Sequence, residues 1–593
     1  MRSFRWSLLA FLVGSGWYTA QPQASNLAPT NQIQVTTTVD DTNPSNQTCS
    51  LREAVLAATS DQAVDACSAG AAVDQILLPA GVYRLTNIGR DDDQGLTGDL
   101  DLRGSLQITG VSSATTIIDG NVTDRVLDLH EGRLTLEHVE IRNGYILNND
   151  DTATYYGHGI FQRSGNLSLD HVRVIHNGII TSPILYGLAN YGGGVASLAG
   201  MLSIQHSFFN DNEVRTIFMG GVGVGGGLYI KQSTVSIANT IFEADTAGTG
   251  MAIANDGGNL TLSQSQIRLA IGQGEQGAAV DTIKGMTLIE TSEFQQNQPR
   301  AVKINQGAEA EIINSLFGQN GGVGNFYCAS GGAIANAGRI LISDSRFIDN
   351  YADQGGALVQ SQGSSEIYRS EFSANRSNGV NRLRENCHAS GAAISQQAGT
   401  MLLDTSTLAF NDSRGLGGAL DQRGVTSVLT LTNSTVVSNT NRFVTGIGGA
   451  GVSISGTLAL NNSMIANNWH TPSQTANDCL GNLTSQGHNL LERPTAQCQL
   501  LNQQASDLLN LDPLLGEFAL HGGSSRSFSL TAASPALDAG PADCGLVDQR
   551  LYPRPVDGNN DQTVRCDIGA FEAGMIAQTQ YFSFLPFALA GVR

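Results

Sequence analysis

The sequence predicts an all-β chain wound as a parallel β-helix, with a short capping helix at its start and a small module at its end. Three observations carry this. One phrase recurs along the chain: two alternating apolar residues, a polar stretch, an apolar residue and then Asn three positions later. It reads LSIQHSFFNDN (202–212), AEIINSLFGQN (310–320), ILISDSRFIDN (340–350), SEIYRSEFSAN (365–375), LTLTNSTVVSN (429–439) and LALNNSMIANN (458–468). With weaker copies there are 12 units between residues 134 and 468, roughly one per 29 residues, a spacing that marks a solenoid. Finally, 69 glycines among 593 residues, with only 14% of residues charged, suit a turn-rich chain better than a set of compact globular units.

Each part of the unit has a predicted place. The period of two makes the apolar stretch a strand. Glycine-rich pieces such as GGGVASL (192–198), GGGLYI (225–230), GGAIANA (331–337), GGALVQS (355–361) and GGAGVSI (448–454) predict a tight bend and a second short strand. The recurrent Asn falls at one bend of every coil, where its amide can bond to the same residue of the neighbouring coil. That reading gives these asparagines structural rather than catalytic work. The pairing of GGAI with Phe-x-x-Asn, at Gly331–Ile334 and Phe347–Asn350, resembles the repeats of polymorphic outer membrane proteins. Only about 125 residues follow Asn468, too few for the membrane barrel that closes those proteins plus a terminal module.

Compartment follows from the first residues. MRSFRW, the apolar run SLLAFLVGSGW and small-residue sites at Ala20 and Ala24 have the layout of a secretory signal peptide over residues 1–24, so export is expected. No membrane span is expected in the mature chain, because the apolar run is shorter than a spanning helix needs. A formal charge of −20 disfavours nucleic acid as a partner. The eight cysteines fall as Cys49/Cys67, Cys328/Cys387, Cys479/Cys498 and Cys544/Cys566. In an exported chain an even count reads as disulfides, and adjacent pairing is the simplest connectivity.

TCSLREAV (48–55) could hold a nucleophilic thiol or a scaffold. Ser50 and Glu53 form a capping box, and Leu51, Ala54, Val55 and Ala58 share one helical face, so the stretch predicts a short amphipathic helix over the open first coil. Together with GDLDLRGSLQITG (98–110), TTIIDGN (115–121) and IRNG (141–144), it resembles the bacterial CSLREA-domain family of secreted right-handed parallel β-helix proteins. SPALDAGPADCG (534–545), DQRLYPRP (548–555) and RCDIGAFE (565–572) resemble the choice-of-anchor Q module. The resemblance implies a cap and first coils over 30–130, repeats over 131–470, the anchor-like module over 471–572 and an apolar tail, a potential attachment signal, over 573–593. It implies a bacterial protein, secreted or held at the cell surface, and little about chemistry.

Candidate sites are few. Gly-His-Gly around His158 matches a scrap of polygalacturonase-type hydrolases, without the clustered aspartates that glycoside hydrolysis needs. His158 is thus a weak catalytic candidate, and no catalytic residue is assigned. Structural calcium, the one cofactor considered, would suit Asp557, Asn559 and Asp561, or Asp91 and Asp93 with Asp99 and Asp101 nearby. Long insertions carry Tyr145, Tyr155, Tyr156, Tyr186, Tyr191 and Phe218, which could stack on sugar rings or pack on their own coils. The expected role is noncatalytic adhesion or binding of an extracellular polysaccharide or surface protein. The rival is a polysaccharide lyase or glycoside hydrolase on the same fold.

Overall fold

A computed structural model describes residues 31–89, 92–146, 154–180, 189–215, 222–272, 277–322, 328–379, 388–443, 448–473 and 475–574. The signal segment 1–24 lies outside them, as do Asp91, Tyr186, Phe218, Cys387 and most of the apolar tail. The described chain is a right-handed parallel β-helix, with strands in a 28-stranded and a 16-stranded sheet, shorter side sheets, and one helix.

The coil at 331–352 shows the plan. Gly331 takes φ 65° and turns the chain into a first strand, Ile334–Asn336. After a bend comes the second, Arg339–Ser343, then the third, Arg346–Ile348, and a short side strand, Tyr351–Ala352. Register is kept from coil to coil: Ile312 pairs with Ile342, and Ile342 with Ile367. Period-two alternation sends Ile340 and Ile342 inward, where they are wholly or almost wholly buried.

Inside, identical residues stack. Phe294, Phe317, Phe347 and Phe372 are fully buried, with ring centroids 4.7, 4.9 and 4.5 Å apart at successive steps. The expected asparagine ladder is present. Asn297, Asn320, Asn350, Asn375, Asn411 and Asn439 each donate Nδ2 to Oδ1 of the next coil's Asn at 2.9–3.1 Å. Each also donates its backbone N–H to the same oxygen. A second ladder, not foreseen, runs five residues earlier. There the backbone N–H of Ser292, Ser315, Ser345, Ser370, Ser406 and Ser434 donates to the next coil's serine Oγ.

The opening motif is scaffold. The helix is Leu51–Ser60, Ser50 and Glu53 make the predicted capping box, and Cys49 is bonded to Cys67. Leu51, Ala54 and Val55 are buried, and Ala58 packs partly buried against the same core. Arg52, given no role by the sequence, is fully buried. It pairs with Asp40 (2.7 Å) and donates to the carbonyls of Gly95, Gly98 and Asp99, clasping the cap to the first coils.

At the other end, parallel pairing runs past residue 470, through Cys479–Ser485, to the pair Leu490–Leu491 and Leu508–Leu509. Thereafter an antiparallel hairpin, Leu515–Ala519 with Ser527–Leu530, leads into irregular chain that lies back along the third strands. Arg526 pairs with Glu371, Thr407 donates to Gln549 (2.6 Å), and Asn462 donates to the Asp567 carbonyl (3.0 Å). The bonds Cys479–Cys498 and Cys544–Cys566 are as expected. Cys328 is disulfide-bonded too, while its expected partner Cys387 lies outside the described residues. No described helix is long and apolar enough to cross a membrane.

Two stability predictions follow. Asp245 stands in the Asn ladder; its Oδ1 accepts from Asn212, but its buried Oδ2 meets no donor, and burial raises its pKa well above the ordinary carboxylate value. A raised folded-state pKa favours folding below the unfolded value of about 4 and is a cost above it. Asp245→Asn should therefore raise the melting temperature at pH 7.5, with the gain vanishing near pH 4. Arg52→Ala should leave the buried Asp40 carboxylate without its charge partner, held only by the Thr86 and Asn87 N–H groups, and destabilise the first coils by about 3 kcal/mol, seen as an earlier unfolding step in urea.

Candidate functional site

The outer face of the first strands presents one column of side chains in register. Successive coils place Asp101, Asp128, Phe161, Ala196, Tyr229, Ala254, Asp281 and Lys303 side by side. The early insertions fold over this column. Short strands at Tyr155–Tyr156, Ala189–Tyr191 and Val222–Val224 form a small sheet there.

The insertion aromatics stack on each other. Tyr156 lies 5.1 Å from Tyr191 and 5.5 Å from Phe161, and Tyr191 lies 4.5 Å from Tyr229, centroid to centroid. Arg125 and Arg163 cover Phe161 at 5.2 and 5.5 Å. Ring faces are thus occupied by protein, so packing on their own coils, the second of the two expected roles, accounts for Tyr156 and Tyr191. Their half-buried edges remain, with the Tyr229 hydroxyl held by Asp256 at 3.1 Å. Tyr155 is half-buried beside Asn190, and half-buried Tyr145 donates its N–H to the Asp124 carbonyl.

Beside this wall lies a charged cluster. Arg163 bridges Asp128 (2.8 Å) and Asp93 (3.0 Å), and Arg125 bridges Asp99 (2.8 Å) and Asp128 (3.1 Å). Burial raises the Asp99 and Asp101 pKa values, against the pull of Arg125 and His130 respectively. Arg103 donates to His130 Nδ1 (3.1 Å); since arginine can only donate, Nε2 keeps the ring proton and gives it to Asp101 Oδ1 at 2.5 Å. The acidic stretch around Asp93 is thus knit by Arg103, Arg125 and Arg163.

His158 is completely enclosed by protein. Its relative exposure is 0%, neither ring nitrogen has a hydrogen-bond partner, and burial, assisted by Arg125, pushes its pKa down to about 3. In the other coils this place of the glycine turn is held by residues such as Gly193, Gly226 and Ala392. A ring sealed there cannot touch a polymer on the surface, so His158 is not a catalytic base.

The loop at Asp557–Asp561 is likewise engaged. Asp557 accepts from the N–H groups of Asp561 and Gln562, Asn559 Oδ1 from Asp561, and Asp561 from Thr563 and the Asn559 amide.

A second concavity was not foreseen. It is a hollow of about 420 Å³ lined by Leu269, Ile271, Gln296, Gln298, Gln319, Asp349, Tyr351 and Arg376. Its origin is local. Two columns flank the Asn ladder, one carrying Leu269, Gln296, Gln319 and Asp349, the other Ile271, Gln298, Gly321, Tyr351 and Arg376. Gly321 leaves a missing side chain between Gln298 and Tyr351. A Cβ there would come within 1.7 Å of the Tyr351 carbonyl oxygen, at φ 124°. The coil from Asn297 to Asn320 is also short, at 23 residues. The sequence signal was this short spacing together with the glycine at the residue after the ladder Asn.

No protein-family model matches the chain, and no curated protein matches it by sequence. Among solved structures it is similar to a crystal structure of pectate lyase Pel9A, with 13% identity, 92% of this chain and 97% of that chain covered, and a TM-score of 0.24. A likeness at that level transfers no residue role.

The calcium expectation has a direct check. Millimolar calcium added to chelator-treated protein should raise the melting temperature, and an unchanged curve would remove the ion from this loop. A rise in melting temperature that disappears in Asp557→Ala would assign the ion to this loop.

Proposed function

We propose that the chain is an exported β-helical rod that binds an extracellular polysaccharide without altering it, with the hollow around Gly321 as the seat of the glycan. The observation that carries the reading is the make-up of that hollow. Exposed Gln296 and Gln298 flank Asn297 in one coil, and exposed Gln319 stands in the next, roughly 4.8 Å on, accepting from the Gln296 amide at 3.2 Å. They offer paired donors and acceptors to hydroxyl groups. Arg376 and Asp349, paired at 3.1 Å, supply a charged edge, and Tyr351, Leu269 and Ile271 give apolar surface for the C–H faces of sugars. Ile271 is 55% exposed, so that surface is open to a ligand.

Export is supported by the disulfides, which belong to oxidising compartments. The noncatalytic reading is supported by the state of the carboxyl groups on the first-strand face. Asp101, Asp128, Asp281 and Asp421 are buried and near a histidine, arginine or lysine. The hollow is lined by one carboxyl group, that of Asp349, where glycoside hydrolysis uses two. Display on a bacterial surface, through the tail or the anchor-like module, belongs to the same proposal.

A glycan array probed with the mature chain should give a polysaccharide ligand. Gln298→Ala, Tyr351→Ala and Arg376→Ala should each weaken it about 5–10-fold, the loss of roughly 1 kcal/mol per contact, while Tyr156→Ala leaves it unchanged. Chain shortening or new unsaturated uronate absorbance would establish the enzyme instead.

A further inference from the structure

We infer that Asp170, His171 and His206 form a binding site for a divalent transition-metal ion, of the zinc and cobalt class. The site stands on the outer bend between the second and third strands, away from the hollow described above. His138, His171 and His206 hold the same place in three successive coils, each in the left-handed conformation with φ 57°, 56° and 47°. Register therefore brings their rings together. Centroids are 4.9 Å apart for His138 and His171 and 4.8 Å for His171 and His206.

Contacts of hydrogen-bond length hold the triad together, at separations close to those between ligands of one ion. Asp170 Oδ1 lies 2.9 Å from His171 Nδ1 and 3.0 Å from His206 Nδ1, and the three ligand atoms all fall within 4.8 Å of one another. An ion holding nitrogen and oxygen at about 2.0–2.2 Å keeps neighbouring ligand atoms about 3 Å apart. Only a small contraction separates the observed triad from a coordinating one. Two imidazoles and one carboxylate suit zinc, cobalt or nickel over calcium, which takes oxygen ligands. The side chains are 41–50% exposed, so water or a group from outside can fill the remaining positions. Further along the column the same bend carries Asn239, Gln264, Thr291 and Asn314, so the imidazoles are concentrated in these early coils.

The test is a titration of the chelator-stripped mature chain with cobalt(II), read by visible absorbance, followed by displacement with zinc. We expect one equivalent of cobalt with a ligand-field band that zinc abolishes. His171→Ala and His206→Ala should each weaken binding at least tenfold, and the double variant should abolish it. His176→Ala, which changes a histidine at a different bend, should leave it unchanged. Melting curves of the variants without metal should match the parent, because these side chains lie outside the core. Absence of binding to the parent, or binding that survives the double variant, would overturn the assignment.

Discussion

The structure depends on one constraint: at two bends of each laddered coil a backbone amide is buried where the strand ladders offer it no partner. Strand amides are satisfied by the neighbouring coil, but the amide at a bend points along no ladder of its own. Here a side chain in the next coil supplies the acceptor. Asn350 shows the arrangement in full: its Oδ1 takes both the backbone and amide N–H of Asn320, and its Nδ2 serves the Phe317 carbonyl and Asn375. Ser345 does the same for the backbone of Ser315. An Asn or Ser at the wrong position would leave a buried donor unpaired, at about 1–3 kcal/mol each. That penalty fixes the register of every coil, and the register in turn creates the columns on the surface: the aromatic wall, the histidines and the amides of the hollow.

The ends meet a different problem, that of stopping. At the start, each residue of Cys-Ser-Leu-Arg-Glu-Ala has a structural task. Cys49 bonds Cys67, Ser50 caps the helix, Leu51 and Ala54 enter the core, Arg52 clasps the first coils and Glu53 closes the capping box. Near the other end, Asp548, Arg550, Arg554, Asp567 and Glu572 form a buried charged knot. Arg550 pairs with Asp548 (2.6 Å) and lies over the ring of Phe571, while Arg554 pairs with Glu572 (3.1 Å). Burial pushes the Glu572 pKa up to about 7 even so. The most distinctive motifs of this chain are therefore parts of its architecture, and the binding chemistry proposed for it lies in less distinctive repeats.

That division explains what could be read from the sequence. The repeat, the strands, the ladder Asn and the capping helix were legible because each depends on local periodicity or on a fixed spacing. The serine ladder was equally periodic, five residues before each Asn, but serine is a common bend residue and its partner is a coil away. Arg52 could not be read, since three of its acceptors are main-chain carbonyls more than 40 residues distant. Of the insertion tyrosines, Tyr155, Tyr156 and Tyr191 share one small sheet. Whether a ring is free or covered depends on rings in adjacent coils, and for Tyr156 and Tyr191 those neighbours cover it. The hollow was missed because it is made by an absence, Gly321, in a chain with 69 glycines.

Amide hydrogen exchange tests the central constraint most directly. The backbone N–H groups of Asn297, Asn320, Asn350, Asn375 and Asn411 lie at bends, outside any strand, yet each donates to a buried side-chain oxygen. The ladder account predicts that they exchange as slowly as the inward strand amides beside them, opening only with the coils themselves. Exchange at the rate of ordinary turn amides, with the strands still protected, would contradict it.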